Sequence, residues 1–276
     1  MTTEKINIDK LIQDAISGQD DRARRIVLGR YGLDQSRRKT LAKLGGEYNL
    51  TRERVRQIQS ASLKVIREEI KAHKDAIKLL KIFERYLKDV GHIKRADFVA
   101  HDLAIILGEE KSSDSLFNKL QFLADILQWP IVSNGNEDMH ITWHSNADSY
   151  NLAKKLIKEL LNYADHDFDK FIKSVSERHK MSELEIINHL AISKYFGIGP
   201  FGDMGADHWI HVNPKTVRDK IYLVLQKSDE PLHFNDIAVL VNNLSERKRA
   251  AATVHNELIK DARFNLVGRG TYTINA

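Results

Sequence analysis

Residues 40–67 read TLAKLGGEYNLTRERVRQIQSASLKVIR, and this stretch decides the fold of the N-terminal part of the chain. Leu41 and Leu44 lie three apart, as on one face of a short helix. Two glycines and Asn49 follow, and these residue types tolerate a left-handed backbone. Thr51 can then cap a second helix. The stretch therefore predicts a helix-turn-helix.

The second helix of this motif has two different faces. A stripe at helical spacing is suited to burial, and it consists of Val55, Ile58, Ser62 and Ile66. The opposite face carries side-chain types that read base edges in a DNA major groove, since Arg suits guanine, Gln adenine and Glu cytosine. These residues are Arg52, Glu53, Arg56, Gln57, Ser60 and Lys64. The same pattern also fits a solvated basic helix, and the pattern alone does not distinguish such a helix from one that binds DNA.

Two segments resemble region four of bacterial housekeeping-type sigma factors. The more specific one is LTRERVRQI at 50–58, joined by Thr40, Leu41 and Gly45, and RIVLGRYGL at 25–33 resembles the first part of that region. The resemblance implies that the second helix binds a minus-thirty-five-like promoter element. It implies base contacts for Arg52, Glu53 and Gln57, and mixed phosphate and base contacts for Arg54 and Arg56. The chain departs from the family at Ala42 and Lys43, where acidic residues are common. The resemblance therefore does not predict which contacts the first helix of the motif makes.

The net charge of +5 is concentrated on the same part of the chain. Residues 36–74 hold eleven Lys or Arg against four acids, an excess of seven, while the remaining residues together are slightly acidic. A local basic excess is the electrostatic footprint of a phosphate-binding module. We therefore expect further DNA contacts from Ser60 and Lys64 and from the basic run Arg37, Arg38 and Lys39.

Composition predicts a globular chain of several domains. It has 276 residues, of which 42% are hydrophobic and 29% charged, and it has no cysteine. We see no membrane span or signal peptide, and we expect a bacterial cytoplasmic, nucleoid-associated protein. The predicted fold class is mainly α, with tandem helix-turn-helix and winged-helix domains and short β-hairpin wings. The oligomeric state stays open.

We predict four segments along the chain. Residues 1–74 form the helix-turn-helix domain, with two helices over 5–33 packed under it. These residues are too few for the sigma domain that unpairs the minus-ten element, which argues against a stand-alone promoter-melting role. Residues 75–145 contain a long connector helix, continuous with the second helix of the motif and ended by Gly91. Two helices and a hairpin at Asn134-Gly135 then suggest a winged helix, with a structural spacer as the preferred alternative.

Residues 146–212 are predicted to be a helical connector. Ser182 to Glu185 is a capping box, and its helix is expected to reach Phe196. The following run, GIGPFG at 197–202, spells G-x-G-x-x-G, but a dinucleotide site requires a strand before this loop. A predicted helix precedes it and Pro200 interrupts it, so we interpret it as a glycine-rich connector.

Residues 213–276 are predicted to form three helices and a wing, with Asn213 capping the first helix, Lys248 near the start of the third and a hairpin around 268–270. The segments PLHF at 231–234, TVHNEL at 253–258 and 263–272 resemble the HARE-type winged helix found in the delta subunit of bacterial RNA polymerase. That resemblance implies a second DNA or polymerase contact. Its candidate residues are Lys248, Arg249, His255, Asn256 and Arg269.

Catalytic and metal-binding motifs are weak in this sequence. His140 and His144 could share a face, but two ligands without cysteine partners do not make a zinc site. Nucleophile elbows and phosphate loops are missing, so we expect neither an enzyme nor a cofactor. The leading hypothesis is a sigma-like transcription factor that binds promoter DNA and RNA polymerase core. The alternatives are a delta-like polymerase subunit and a non-specific DNA-organising protein.

Overall fold

The computed structural model describes residues 6–34, 37–108 and 113–275. It is mainly helical with small antiparallel sheets, as the sequence predicts. The chain folds into two compact units. The first comprises the residues up to 157 and residues 175–194, and the second comprises residues 158–174 and those from 195 onward. Within the described ranges, no helix is both long and apolar enough to span a membrane.

The first unit begins with the predicted helix-turn-helix and the two helices before it. The elements are α1 (Ile8–Ser17), α2 (Asp21–Tyr31), α3 (Leu41–Tyr48) and α4 (Arg52–Ala72). The hydroxyls of Thr40 and Thr51 accept hydrogen bonds from the backbone at the starts of α3 and α4. Asn49 ends α3 with a left-handed φ of 53°. Both α1 and α2 pack on α4, so they support the motif as expected.

Helix α3 requires glycine at the position where it faces the turn that leads to α4. A Cβ on Gly45 would lie 2.6 Å from the Leu50 carbonyl oxygen, whereas a Cβ on the exposed Gly46 would meet nothing within 4 Å. We expect Gly45→Ala to destabilise the protein by about 1–3 kcal/mol through overpacking. Gly46→Ala should instead be neutral or stabilising by up to about 1 kcal/mol, because alanine favours helix. Urea unfolding measures the change in the free energy of unfolding for each variant. Equal changes would contradict the close approach of Gly45 to the Leu50 carbonyl oxygen.

The predicted long connector helix is wrong. α4 ends at Ala72, and His73 takes an extended conformation with φ −80° and ψ 130°. The His73 imidazole Nδ1 then accepts from the Asp75 backbone N–H at 3.1 Å, starting α5 (Lys74–Asp89) as a separate helix. Gly91, with a φ of 85°, lies in the turn that follows α5, in keeping with the predicted stop.

A winged helix follows α5, as the sequence suggests. Its elements are β1 (Ile93–Arg95), α6 (Ala96–Leu107), α7 (Asp114–Leu127), β2 (Ile131–Ser133) and β3 (Thr142–His144), in sheet order β1-β3-β2. One hydrophobic core extends from Ile6 to Trp143 and joins this winged helix to α1, α2 and the C-terminal half of α4. A separate cluster of Ile26, Leu44 and Val55 joins α2, α3 and the start of α4. α7 packs directly on α2 and α4. The helix that would enter a DNA groove in an open winged helix is thus covered here.

The predicted connector contains both helices and a hairpin. Its helices are α8 (Ala147–Leu161), α9 (Phe168–His179) and α10 (Glu183–Leu190), and the Ser182–Glu185 capping box is confirmed. α10 ends before Phe196 because the chain leaves the helix to pair with another segment. The Lys194 and His140 amides donate to the Asp138 and Ile192 carbonyls, both at 2.8 Å. The glycine-rich run lies in a hairpin of β4 (Phe196–Ile198) and β5 (Met204–Ala206).

The second unit ends in a winged helix with the same element and strand order as the first. It comprises α11 (Val217–Gln226), β6 (Leu232–His233), α12 (Phe234–Asn243), α13 (Ala251–Lys260), β7 (Phe264–Gly268) and β8 (Thr271–Ile274), in sheet order β6-β8-β7. The three helices and the wing are confirmed, with two corrections. The cap of α11 is Thr216, which exchanges hydrogen bonds with Asp219, and Asn213 lies before it. Lys248 lies in the loop before α13.

Candidate nucleic-acid interface

The N-terminal part of α4, residues 52–64, exposes the predicted reading face. Val55 is fully buried against Ile26 and Leu44, and this contact fixes the rotation of the helix. The residues on the opposite side are therefore turned to solvent. They are Arg52, Glu53, Arg56, Gln57, Ser60 and Lys64, and Arg54 beside them is also exposed. The structure thus places all seven α4 candidates on accessible surface.

A hydrogen-bond network connects the charged residues of this face. Arg56 donates to both carboxylate oxygens of Glu53, at 2.8 and 2.7 Å. Gln57 donates to Glu53 at 3.4 Å and accepts from Arg54 at 3.3 Å. The bond from Arg56 lowers the pKa of the Glu53 carboxyl, so this group is ionised near neutral pH. The network orients the side chains, and solvent-exposed pairs of this kind open readily because water screens the attraction between their charges.

The chemistry of the face suits a major groove. Arginine can donate two hydrogen bonds to guanine, the glutamine amide can pair with adenine, and a carboxylate can accept from cytosine. Arg52 lies at the leading end of α4, where a helix presents its side chains to base edges. Lys64 is exposed three turns further along, where a point charge can contact a phosphate. The arrangement can therefore combine base reading with backbone contacts.

The basic run before α3 is used in part by the protein itself. The Arg38 guanidinium donates to the Asn118 side chain on α7 at 2.7 Å and lies over the Phe117 ring. Lys39 forms an ion pair with Glu47 at 2.9 Å, and this bond raises the pKa of Lys39. Arg37 is exposed. DNA contact by these three residues stays a prediction, and for Arg38 the structure adds a role in attaching the motif to α7.

A polar cluster near Arg38 escaped the sequence analysis. Burial raises the pKa of both Tyr31 and the Asp125 carboxyl, while burial lowers the pKa of Arg38. Gln59 of α4 is hydrogen-bonded to Tyr31 in this cluster. Asp125 lies far along the sequence from its partners, and no local pattern indicates the contact. The cluster thus bonds α4 to α2 through Gln59 and Tyr31 and places the Asp125 carboxyl of α7 near both Tyr31 and Arg38.

In the second set of predicted contacts, one residue is half-buried and four are exposed. The ring of His255 stacks on Phe234 with centroids 4.3 Å apart, and its Nε2 lies 3.0 Å from the Tyr272 hydroxyl. This histidine therefore packs within the domain instead of facing a partner. Lys248, Arg249, Asn256 and Arg269 are exposed.

His144, one of the two histidines weighed as metal ligands, is held by contacts within the protein. His144 is buried, its Nε2 lies 2.9 Å from the Ser133 hydroxyl, and its Nδ1 lies 2.8 Å from the Asn146 carbonyl. Both ring nitrogens of His144 are thus engaged by protein groups.

With this geometry in view, comparison with known proteins identifies the segment that carries the reading face. Residues 15–68 match the family Sigma-70, region 4. The match contains α2, α3 and the exposed turns of α4. The principal sigma factor HrdD of Streptomyces viridifaciens is 44% identical over 52 residues, which are 19% of this chain and 16% of the relative. SigA1 of Synechococcus elongatus is 41% identical over 56 residues, 20% and 14% of the two chains.

The similarity is local. SigA of Clostridium acetobutylicum, 40% identical over 53 residues, is likewise matched over 19% of this chain and 14% of its own length. The chain therefore spans less than a fifth of the length of these sigma factors. No solved structure matches the chain. The region-four resemblance is confirmed for residues 15–68, and the HARE-type resemblance is not confirmed.

Proposed function

We propose that this protein is a sequence-specific DNA-binding transcription factor of sigma-like type, rather than an enzyme, acting in bacterial transcription initiation. Its α4 binds a minus-thirty-five-like promoter element in the major groove. The observation that carries this proposal is the exposed face of Arg52, Glu53, Arg56 and Gln57 within a segment that matches sigma-70 region 4. The relatives are named RNA polymerase sigma factors, so RNA polymerase core is the proposed protein partner.

Binding would use the face without refolding the motif. Thr40 and Thr51 cap the two helices, and the buried Val55 fixes the rotation of α4. On DNA, the exposed Glu53–Arg56 pair can open and exchange its internal hydrogen bonds for bonds to bases and phosphates. A rigid scaffold with a cheaply rearranged surface favours specific recognition, because little ordering entropy is lost on binding.

An accessory role on RNA polymerase, in the manner of a delta-like subunit, is the second candidate. A groove of about 500 Å³ lies between α1 and α2, with Ile12, Ile16, Leu28 and Leu33 among its lining residues. None of the α4 reading residues lines this groove. A polymerase segment could therefore dock there while α4 stays free or binds DNA.

Selection from random duplex DNA, with and without polymerase core, distinguishes these functions. The proposed function predicts a recurrent motif that is enriched with the protein alone and is weakened by Arg52→Ala. Co-purification with polymerase and no enrichment of any motif would favour the accessory role. Salt-sensitive binding without a motif would instead indicate a DNA-organising protein. Either of the last two outcomes contradicts sequence-specific reading by α4.

A further inference from the structure

A groove of about 570 Å³ lies within the second unit, beside the glycine-rich hairpin of β4 and β5. It is lined by the start of α9, the turn of this hairpin, His211 and the end of α11. Four carboxylates and one ammonium group are among the lining side chains, those of Asp165, Asp167, Asp169, Asp203 and Lys227. The groove is therefore acidic, in contrast to the basic face of α4.

The negative charge of the groove is offset only in part. The Asp167 carboxylate accepts from the Lys170 backbone N–H at 3.0 Å, and this bond lowers the pKa of the Asp167 carboxyl. Lys170 Nζ lies 3.6 Å from Asp167 and 4.0 Å from Asp165, and Lys227 donates to Asp203 Oδ1 at 2.9 Å. In the part of the chain that the structure describes, no three Asp, Glu or His side chains lie close enough together to hold one metal ion. Carboxylates spread along a groove in this way suit an organic cation that has several donors.

Two buried polar atoms at this groove have no hydrogen-bond partner. They are Asp203 Oδ2 and Trp209 Nε1, and no other buried side-chain oxygen or nitrogen of the described residues lacks a partner. Asp203 lines the groove, and the fully buried Trp209 contacts two of its lining rings. The His166 ring stacks on Trp209 with centroids 5.2 Å apart, and the His211 ring lies at 5.4 Å. An unpaired buried acceptor and an unpaired buried donor destabilise a fold, and a ligand that carries both a donor and an acceptor removes that cost.

The hairpin adds an apolar edge to the groove. A Cβ on Gly199 would lie 1.9 Å from the His211 carbonyl oxygen, so only glycine lets the hairpin turn lie this close to the His211 segment. The same turn exposes Ile198 and Phe201, which are 68% and 41% accessible, and the next residue, Gly202, lines the groove. An acidic groove beside exposed apolar side chains fits a segment that carries both a cation and an apolar residue.

We propose that this groove binds an arginine-bearing segment of a partner protein. An arginine guanidinium is planar, presents its donors in a fixed fork and stacks on rings, which matches carboxylates beside imidazoles. The guanidinium bonds to Asp203 and Asp169 and stacks on His166, while a backbone carbonyl of the segment accepts from Trp209. An apolar neighbour of the arginine packs on Phe201. The site lies outside the region-four match and does not depend on the function proposed for α4.

The test uses the full chain and isothermal titration calorimetry with three probes, the capped peptides GRLRG and GKLKG and the polyamine spermidine. The arginine peptide should bind most tightly. Asp165→Asn/Asp169→Asn should weaken its binding by about three- to tenfold. The matched control, Asp236→Asn/Glu246→Gln, removes two exposed acids of the same unit that do not line the groove and should keep the wild-type affinity. Lys227→Ala should tighten binding by about two- to fivefold, because it removes a competing cation, whereas damage to the fold would weaken binding.

Three results would overturn the proposal. The first is no binding of the arginine peptide at about 1 mM, a concentration that detects even weak sites. The second is an equal loss in the control variant, which would mean that net charge alone acts. The third is binding of spermidine or of the lysine peptide at least as tight as that of the arginine peptide, which would indicate a site for cations in general. A failure of the α4 proposal is distinguishable from all three, because Arg52→Ala should leave peptide binding unchanged.

Discussion

Phe122→Ala is expected to destabilise the first unit by about 3–5 kcal/mol, the usual cost of removing a fully buried phenylalanine. The Phe122 side chain is 0% exposed and meets the Tyr31 ring edge-on, with centroids 4.9 Å apart. Phe122 thus lies where α7 of the winged helix meets α2, one of the two helices that support the helix-turn-helix. Hydrogen exchange should show peptides from α4 and α7 losing protection together, because one core supports both elements.

The matched control for this prediction is Phe98→Ala on α6. That side chain is 42% exposed and its ring contacts Arg95, so its loss should cost about 0.5–1 kcal/mol. If Phe122→Ala released α7 but left the protection of α4 unchanged, the shared core would not be what stabilises the reading helix.

Arg52→Ala is expected to weaken binding to the selected DNA site by about 1–3 kcal/mol, roughly five- to 150-fold. The side chain is exposed at the start of α4, so its removal leaves the core of the motif intact. Gln57→Ala should have an effect of similar size at a different base position. Titration of labelled duplex at fixed salt measures both, and thermal unfolding of each variant checks that the fold is retained.

A loss of less than about threefold for both variants would be inconsistent with direct base contacts, since bidentate pairs contribute more than that. The matched substitution is Ser60→Ala on the same face. The Ser60 hydroxyl is exposed and can make one hydrogen bond to DNA. Its removal should therefore weaken binding by no more than about 0.5–1.5 kcal/mol.

The helix-turn-helix could be predicted from sequence because its signals are local. Thr40 and Thr51 cap the helices that follow them, Asn49 takes the left-handed turn, and Val55 starts the buried stripe of α4. Each of these features depends on residues within one or two helical turns. The hairpin around residues 268–270 was predictable for the same reason, since its turn residues are adjacent in the chain. In the first wing, residues 134–141 join β2 to β3, so Asn134-Gly135 starts a longer loop instead of a tight turn.

The failures have tertiary causes. The helical pattern continues through His73, but the chain bends there and begins a separate α5. The helix expected to reach Phe196 stops at Leu190 because residues 192–194 bond to 138–140. The sequence also shows no sign of the hydrogen bond from Arg38 to Asn118, which is 80 residues away, and the predicted DNA contact of Arg38 stays a prediction. Periodicity and composition contain no information about such distant partners.

The central claim is that α4 reads base sequence, and one comparison of two variants tests it most directly. The affinities of Arg52→Ala and Lys64→Ala would be measured across all single-base changes of the selected site. Arg52→Ala should remove discrimination at one base position and leave the others as in the wild type. Lys64→Ala should weaken every sequence alike and lower the salt slope by about 1, as expected for a phosphate contact. Identical profiles for the two variants would contradict direct readout by α4.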